Sequence, residues 1–371
     1  MRGNNVLGLI FSNVHEEQLR ELTENRTMGS VPFGGRYCLI DFPLSNMVNS
    51  GINKVGVITK RNYQSLMDHL GSGKAWDLSR KREGLSILPP FEAESFNSNS
   101  RVESLSAARA FLQNSTEEYV LLADSDTVCN VDFSDVIARH IETKADITLV
   151  CRLGTPPEKL SEPAVYTVDD DGRVRDMQVS PHVDGECCYG LGMMLIRREL
   201  LIRLAMDCIS RNMYRFKRDL LQRNISGYRV YTYDFKGFAR TICSGVAYFE
   251  ASMALMDPDV RAQLFCPDRP IYTKVRDDMP ARYGLGSVVS NSLIADGCVI
   301  EGEVHNSVLF RGVHVGKGTV VENCIILQDS VIQPDCRLNY VITDKNVQIR
   351  NDRSLLGFES YPVYIAKGSV V

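Results

Sequence analysis

Two hydrophobic rhythms divide this chain. Through roughly the first 250 residues, short apolar runs alternate with longer amphipathic stretches. NNVLGLIF (4–11), INKVGVITK (52–60), EYVLLAD (118–124) and ADITLVCRL (145–153) are rich in Val, Ile and Leu and read as buried strands. Between them, YQSLMDHLG (63–71), ESLSAARAFLQ (103–113) and FSDVIARHIETK (133–144) space apolar residues three and four apart, as helices with one buried face do. The alternation predicts an α/β domain with a mainly parallel sheet. Ligands of such sheets sit beyond the carboxyl ends of the strands, so chemistry is expected at the turns after Phe11 and Ala123.

From about Ser287 the rhythm changes. Val320, Ile326, Ile332 and Leu338 recur every six residues, as do Leu309, Val315, Val321 and Leu327, and the pair Ile325 and Val331. Gly, Asn or Asp recur between these rungs, at Asp296-Gly297, Gly312, Gly316, Gly318, Asn323 and Asp329. A six-residue step fits neither a helix nor a simple strand alternation. It predicts a hexapeptide β-helix, with each triangular coil stacking its aliphatic residues on the coil below. The break around His305–Ser307 predicts one irregular corner. The segment between the two patterns, containing PDVRAQ, FCPDRPIYTK and DDMPARYG, reads as a Pro-punctuated linker. The division is therefore 1–250, 251–286 and 287–371.

Composition narrows the function classes. With 42 Lys and Arg against 46 Asp and Glu in 371 residues, the chain lacks the basic excess of a dedicated nucleic-acid binder. No apolar run reaches the roughly 18 residues of a membrane helix, and MRGNNVLGLIFSNVHEE reads as a buried first strand rather than a secretory signal. The 11 cysteines are scattered from Cys38 to Cys336 without a CxxC pair, and the six histidines form no HxH or HExxH group. The expectation is buried thiols in a reducing cytoplasm, with no metal site.

SVPFGGRYCLIDFPLSNMVNSGI (30–52) resembles the sugar-nucleotide pyrophosphorylases, specifically the bacterial glucose-1-phosphate adenylyltransferases of glycogen synthesis. The resemblance continues through KVGVITK (54–60), EYVLLADSD (118–126), VDF (131–133) and YFEASMAL (248–255). It implies an α/β nucleotidyltransferase domain followed by a left-handed hexapeptide β-helix. It also implies a reaction in which the phosphate of glucose 1-phosphate attacks the α-phosphorus of ATP and releases pyrophosphate. Such chemistry needs close backbone N–H groups, cations and Mg²⁺ around the phosphoryl oxygens.

Each of those parts is altered here. Where the family has a GGxGxRL phosphate turn, this chain has Asn13-Val14-His15-Glu16-Glu17-Gln18-Leu19, with no glycine and two carboxylates. One like-charge contact with a phosphate at ~4 Å and an effective dielectric near 20 costs about 4 kcal/mol, so nucleotide binding is not expected at residues 13–18. The same two acids also suit the first turn of a helix from Glu16 to Leu22. The family's RAKP becomes Arg26-Thr27-Met28-Gly29, which puts Met28 in place of the active-site lysine. Asp126 survives as a vestigial metal ligand or a mere turn cap, while its partner carboxylate aligns with Thr241. The sugar-phosphate lysine of the family's EKP aligns with Ser180.

Loss of four parts of the machinery beside an intact scaffold motif resembles the D-type companion subunit found beside a catalytic subunit in some bacterial glycogen operons. The resemblance implies a regulatory subunit of a cytoplasmic heterotetramer, with no catalytic residues and no cofactor of its own. It also points to Arg26, Arg36 and Arg337 as candidates for an anionic sugar-phosphate effector. Two alternatives stand beside it. One is an active adenylyltransferase with a rebuilt site, which would need Mg²⁺, and the other is a homomeric sugar-phosphate sensor. A hexapeptide acyltransferase using His305 or His314 does not account for residues 1–250.

Overall fold

The runs predicted as strands fold as strands, and their pairing brings the two predicted turns together. The computed structural model describes residues 3–60, 62–80, 83–89, 100–183 and 185–371. Nine strands form the main sheet: β1 (Val6–Phe11), β2 (Lys54–Ile58), β3 (Gly84–Leu88), β4 (Tyr119–Asp124), β5 (Ile147–Gly154), β6 (Ala164–Val168), β7 (Val174–Val179), β8 (Cys187–Arg197) and β9 (Val230–Asp234). Their order is β7-β6-β8-β4-β1-β2-β3, with β5 lying between β8 and β9. β1 runs parallel to β2 and β4, β2 to β3, and β5 to β9. The long strand β8 is antiparallel to β4 and β5, and β6–β7 is an antiparallel hairpin. The sheet is thus mixed, mostly parallel around its centre.

β1 and β4 are buried along their whole length because helices cover both faces. Leu105, Leu112, Leu201 and Leu204 pack on Leu7, Leu9 and Leu122 on one side. Leu44, Met47, Leu66, Val136 and Ile137 pack on Val6, Ile10 and Leu121 on the other. Two helix starts are fixed by side-chain caps: Ser100 accepts from the Val102 and Glu103 amides, and Asp132 from the Ser134 amide.

The C-terminal domain is a three-faced β-helix with five parallel strands on each face, and it confirms the fold expected from the six-residue rhythm. Its inward rungs pass from Val315 and Val321 of one sequence ladder to Ile326, Ile332 and Leu338 of the other. The switch follows from a five-residue step at the third corner, which makes each regular coil 17 residues, as in the pairings Val315↔Ile332 and Val321↔Leu338. The coil from Ile300 to Val315 is shorter, 15 residues, but its two missing residues fall at the corner between Ile300 and Val304. The corner around His305–Ser307, from Val304 to Leu309, keeps the same five-residue step as Val321 to Ile326, so the irregularity lies one corner before the predicted one. Corner residues such as Asn306, Asn323 and Asp329 take left-handed backbone angles. Asn291, Asn306, Asn323 and Asn339 pass a side-chain amide hydrogen bond from coil to coil.

The segment after residue 250 is helical through Gly245–Met253 and Pro258–Leu264, and extended only beyond. Its Leu255 and Leu264 join Leu19, Leu22, Phe33 and Phe42 of the first domain and Val308, Phe310, Ile325, Leu327 and Ile342 of the β-helix in one apolar seam. Beside that seam, Arg26 makes a two-headed contact with Asp344 at 2.7 and 3.0 Å. Among the described residues no helix is long and apolar enough to cross a membrane.

Candidate functional site

Phe11 and Asp124 are partners in the β1–β4 register, so the turns that follow them open side by side at one sheet end. The first of these turns lines a cleft of about 780 Å³, whose wall includes Lys60, Arg101, Arg215 and Lys217, and the second is tied to it by the contact between Asp126 and His15. All of residues 13–18 line the cleft.

The turn after β1 is held by its own polar side chains. Asn13 accepts from the Lys60 amide at 2.9 Å and donates to Glu16. Glu16 turns inward and accepts the Met28 amide at 3.2 Å. A carboxylate therefore occupies an N–H that faces the turn. Burial pushes the Glu16 carboxyl up, against the pull of the Met28 amide, Asn13 and Lys60. Glu16–Leu19 is a 3₁₀ turn and Arg20–Thr23 a single α-helical turn, in place of the continuous helix expected to Leu22. Glu17 and Gln18 are exposed.

His15 sits at φ 59°, a left-handed conformation costing a side-chain-bearing residue roughly 1–2 kcal/mol. What holds it there is Asp126, whose Oδ2 meets His15 Nδ1 with both groups buried. Burial pushes the Asp126 carboxyl up, but the His15 charge and hydrogen bond, with Arg101, outweigh it and hold the carboxyl below its usual value. Asp124, two residues before, accepts from Arg101 at 2.7 Å. Burial dominates there and pushes it up to about 6. Gly192 is required beside it, since a Cβ on that residue would lie 2.3 Å from Asp124 Oδ2. Arg101 is also flanked by the rings of Phe11 and Phe216.

The other altered positions fall where they add no chemistry. Met28 is fully buried in the apolar seam. Thr241 Oγ1 lies 3.3 Å from Thr127 Oγ1, next to Asp126, so a hydroxyl occupies the neighbourhood of the missing carboxylate. Ser180 is exposed just beyond the end of β7 and does not line the cleft. Sequence reasoning missed the cations that do line it, Lys217 among them, in the turn Phe216–Leu221, whose ammonium bonds the Glu162 carbonyl at 2.6 Å. Burial, then Arg101, pushes Lys217 down to about 8.

These donors do not fit a divalent cation. Asp126 is paired with His15, Asp124 with Arg101, and the third position is a threonine. Among the described residues no group of three or more His, Cys, Asp or Glu is arranged to hold a metal.

A second cavity, of about 400 Å³, lies where the two domains meet and is lined by Arg36, Lys274, Arg276, Arg311 and Lys345. Arg311 is 8% exposed, yet its Nε and Nη2 have no hydrogen-bond partner. Asp278 and Asp296 approach its Nε only to 3.7 and 4.0 Å. Burial and the neighbouring Arg36 both push Arg311 down. Of the three arginines singled out from the sequence, only Arg36 lines this cavity. Arg26 needs correcting as an open effector ligand: it is 3% exposed, and its guanidinium is taken up by Asp344 and the Leu22 carbonyl. Arg337 projects from a different face of the β-helix, in the strand Arg337–Asn339. Arg311 and Lys345 escaped notice because their positions break no sequence rhythm. They become neighbours of Arg36 only through the packing of the domains.

Residues 8–244 match the nucleotidyl transferase family, and residues 278–360 match the GlmU-like C-terminal hexapeptide family. The chain is 37% identical over 374 residues to the glycogen biosynthesis protein GlgD of Bacillus subtilis, a match covering 100% of this chain and 98% of that protein. It is 39% identical over 321 residues to GlgD of Geobacillus stearothermophilus, covering 86% of this chain and 83% of that one. It is 34% identical over 326 residues to the glucose-1-phosphate adenylyltransferase of Thermotoga maritima, covering 86% and 76%.

Proposed function

Because the chain belongs to the nucleotidyl transferase family, within the group of bacterial glucose-1-phosphate adenylyltransferases and their GlgD relatives, we propose that it serves glycogen biosynthesis as a catalytically impaired regulatory subunit. One observation carries this reading. The carboxylate left from the metal site is paired with a histidine from the turn that should hold the triphosphate, and Glu16 is built into that same turn. The cleft answers its own charges in place of a nucleotide's.

Its role is to pack against catalytic adenylyltransferase subunits in a cytoplasmic heterotetramer and shift them toward a more active state, a coupling of about 1–3 kcal/mol. Exposed apolar residues near both ends of the β-helix, Leu285 in the first coil and Phe358 and Tyr361 in the last, support a subunit contact there. The interdomain cavity is the seat of an anionic sugar-phosphate effector. Arg36 and Arg311, whose buried Nε and Nη2 lack hydrogen bonds, support that assignment.

The purified chain is expected to show no turnover with glucose 1-phosphate, ATP and Mg²⁺, and no calorimetric binding of ATP–Mg²⁺ in the cleft. Mixed with a catalytic subunit, it is expected to change that subunit's kcat or its response to activators. Turnover proportional to this chain and abolished by Asp126→Asn would refute the reading in favour of a rebuilt active site.

A further inference from the structure

Cys38 lines the interdomain cavity, and its sulfur lies 3.6 Å from His69 Nδ1. His69 Nε2 lies 2.6 Å from Oδ1 of the fully buried Asp41, whose Oδ2 accepts the Cys38 amide at 2.9 Å. Sulfur, imidazole and carboxylate therefore stand in sequence, an arrangement that orients an imidazole toward a nucleophile. Burial pushes the His69 imidazole down, but Cys38 and Asp41 together raise it well above its ordinary value. With Nε2 fixed by Asp41, the imidazole presents Nδ1 to the sulfur, the base-to-thiol arrangement of an activated cysteine. Arg36, Arg311 and Lys345 in the same cavity add positive charge.

We propose that Cys38 is a nucleophilic thiol and a site of reversible modification by anionic low-molecular-weight disulfides. The Cys38 thiolate attacks one sulfur of the disulfide, a new S–S bond forms as the old one breaks, and the leaving thiolate departs with the electron pair. The thiol proton passes to His69 Nδ1 and is returned to the leaving thiolate, while the Nε2 proton stays against Asp41. The cationic lining draws the carboxylates of the reagent into the cavity. Occupied in this way the cavity is closed to an effector anion, a consequence that rests on the proposed function, whereas the reactivity of Cys38 does not.

The test uses the whole folded chain, oxidised glutathione as the anionic probe and hydroxyethyl disulfide as the neutral one, with modified peptides quantified by mass spectrometry. Cys38 is expected to form the mixed disulfide at least tenfold faster than the more exposed Cys187 and Cys266, an advantage that disappears in denaturant. His69→Asn is expected to remove most of the advantage with both probes. Arg36→Gln, a change at the rim of the cavity, is expected to slow oxidised glutathione about threefold or more and to leave hydroxyethyl disulfide unaffected. A Cys38 that reacts no faster than Cys187 and Cys266 in the folded chain overturns the proposal. So does an Arg36→Gln chain in which both probes slow equally. Neither outcome depends on a catalytic partner or on nucleotide.

Discussion

Replacing Arg26 with methionine keeps most of the side-chain volume and removes the charge that faces Asp344. The pair is two-headed, at 2.7 and 3.0 Å, with both side chains only 3% exposed. Charge centres ~4 Å apart at an effective dielectric near 20 attract by about 4 kcal/mol, partly offset by the desolvation of both groups. The larger effect is what the substitution leaves behind. Asp344 would stay buried with only the Tyr364 hydroxyl at 2.9 Å and the Lys345 amide at 2.6 Å to answer it. Stranding one member of such a pair costs about 3–5 kcal/mol. Urea denaturation of Arg26→Met should show that loss, with a fall of roughly 10 °C in the melting midpoint of the affected unit. Asp344→Leu alone should cost a similar amount, and the double variant should cost clearly less than the two singles added. Single losses below about 1 kcal/mol, or strict additivity, would refute the clamp and return Arg26 to the candidates for an effector site.

Three further outcomes follow from the same structure. Burial pushes His140 down to about 4, so it is neutral in the fold but protonated in the unfolded chain below about 6.5. Its contribution is complete above that value and is lost as pH falls toward 4, by about 3 kcal/mol, so His140→Phe should flatten the acid limb of a stability–pH profile. Leu338→Ala, at a fully buried rung of the β-helix, should cost about 2–5 kcal/mol in denaturant titrations, while the exposed Leu356→Ala should stay within about 0.5 kcal/mol. Arg311→Gln should leave the melting midpoint of the bare protein unchanged or higher, because the charged form is opposed by burial and by Arg36, yet abolish most of the upward shift given by a sugar bisphosphate.

The sequence was most legible where burial imposes a period. Val6–Phe11 and Tyr119–Asp124 are apolar throughout because both faces are covered, and the coils announce themselves because each repeats the same inward positions. The antiparallel course of Cys187–Arg197 was hidden, since strand direction leaves no mark on composition. The altered phosphate turn could be found from residue types alone. Its inward Glu16 and the ion pair between His15 and Asp126 could not, because the first depends on a backbone amide 12 positions on and the second joins residues 111 positions apart. The interdomain cavity was hidden for the same reason: Arg36 and Arg311 are 275 positions apart and meet only where the two domains pack.

The stacked architecture of the β-helix also decides how damage spreads. A coil in the interior is bounded by a neighbour on each side, so a flaw there breaks two junctions, whereas a flaw at the rim breaks one. Here one face of the prism is also glued to the first domain through Phe310, Leu327 and Ile342. Fraying should therefore begin at the free ends and along the two unattached faces, with the docked edge acting as the last seam to part.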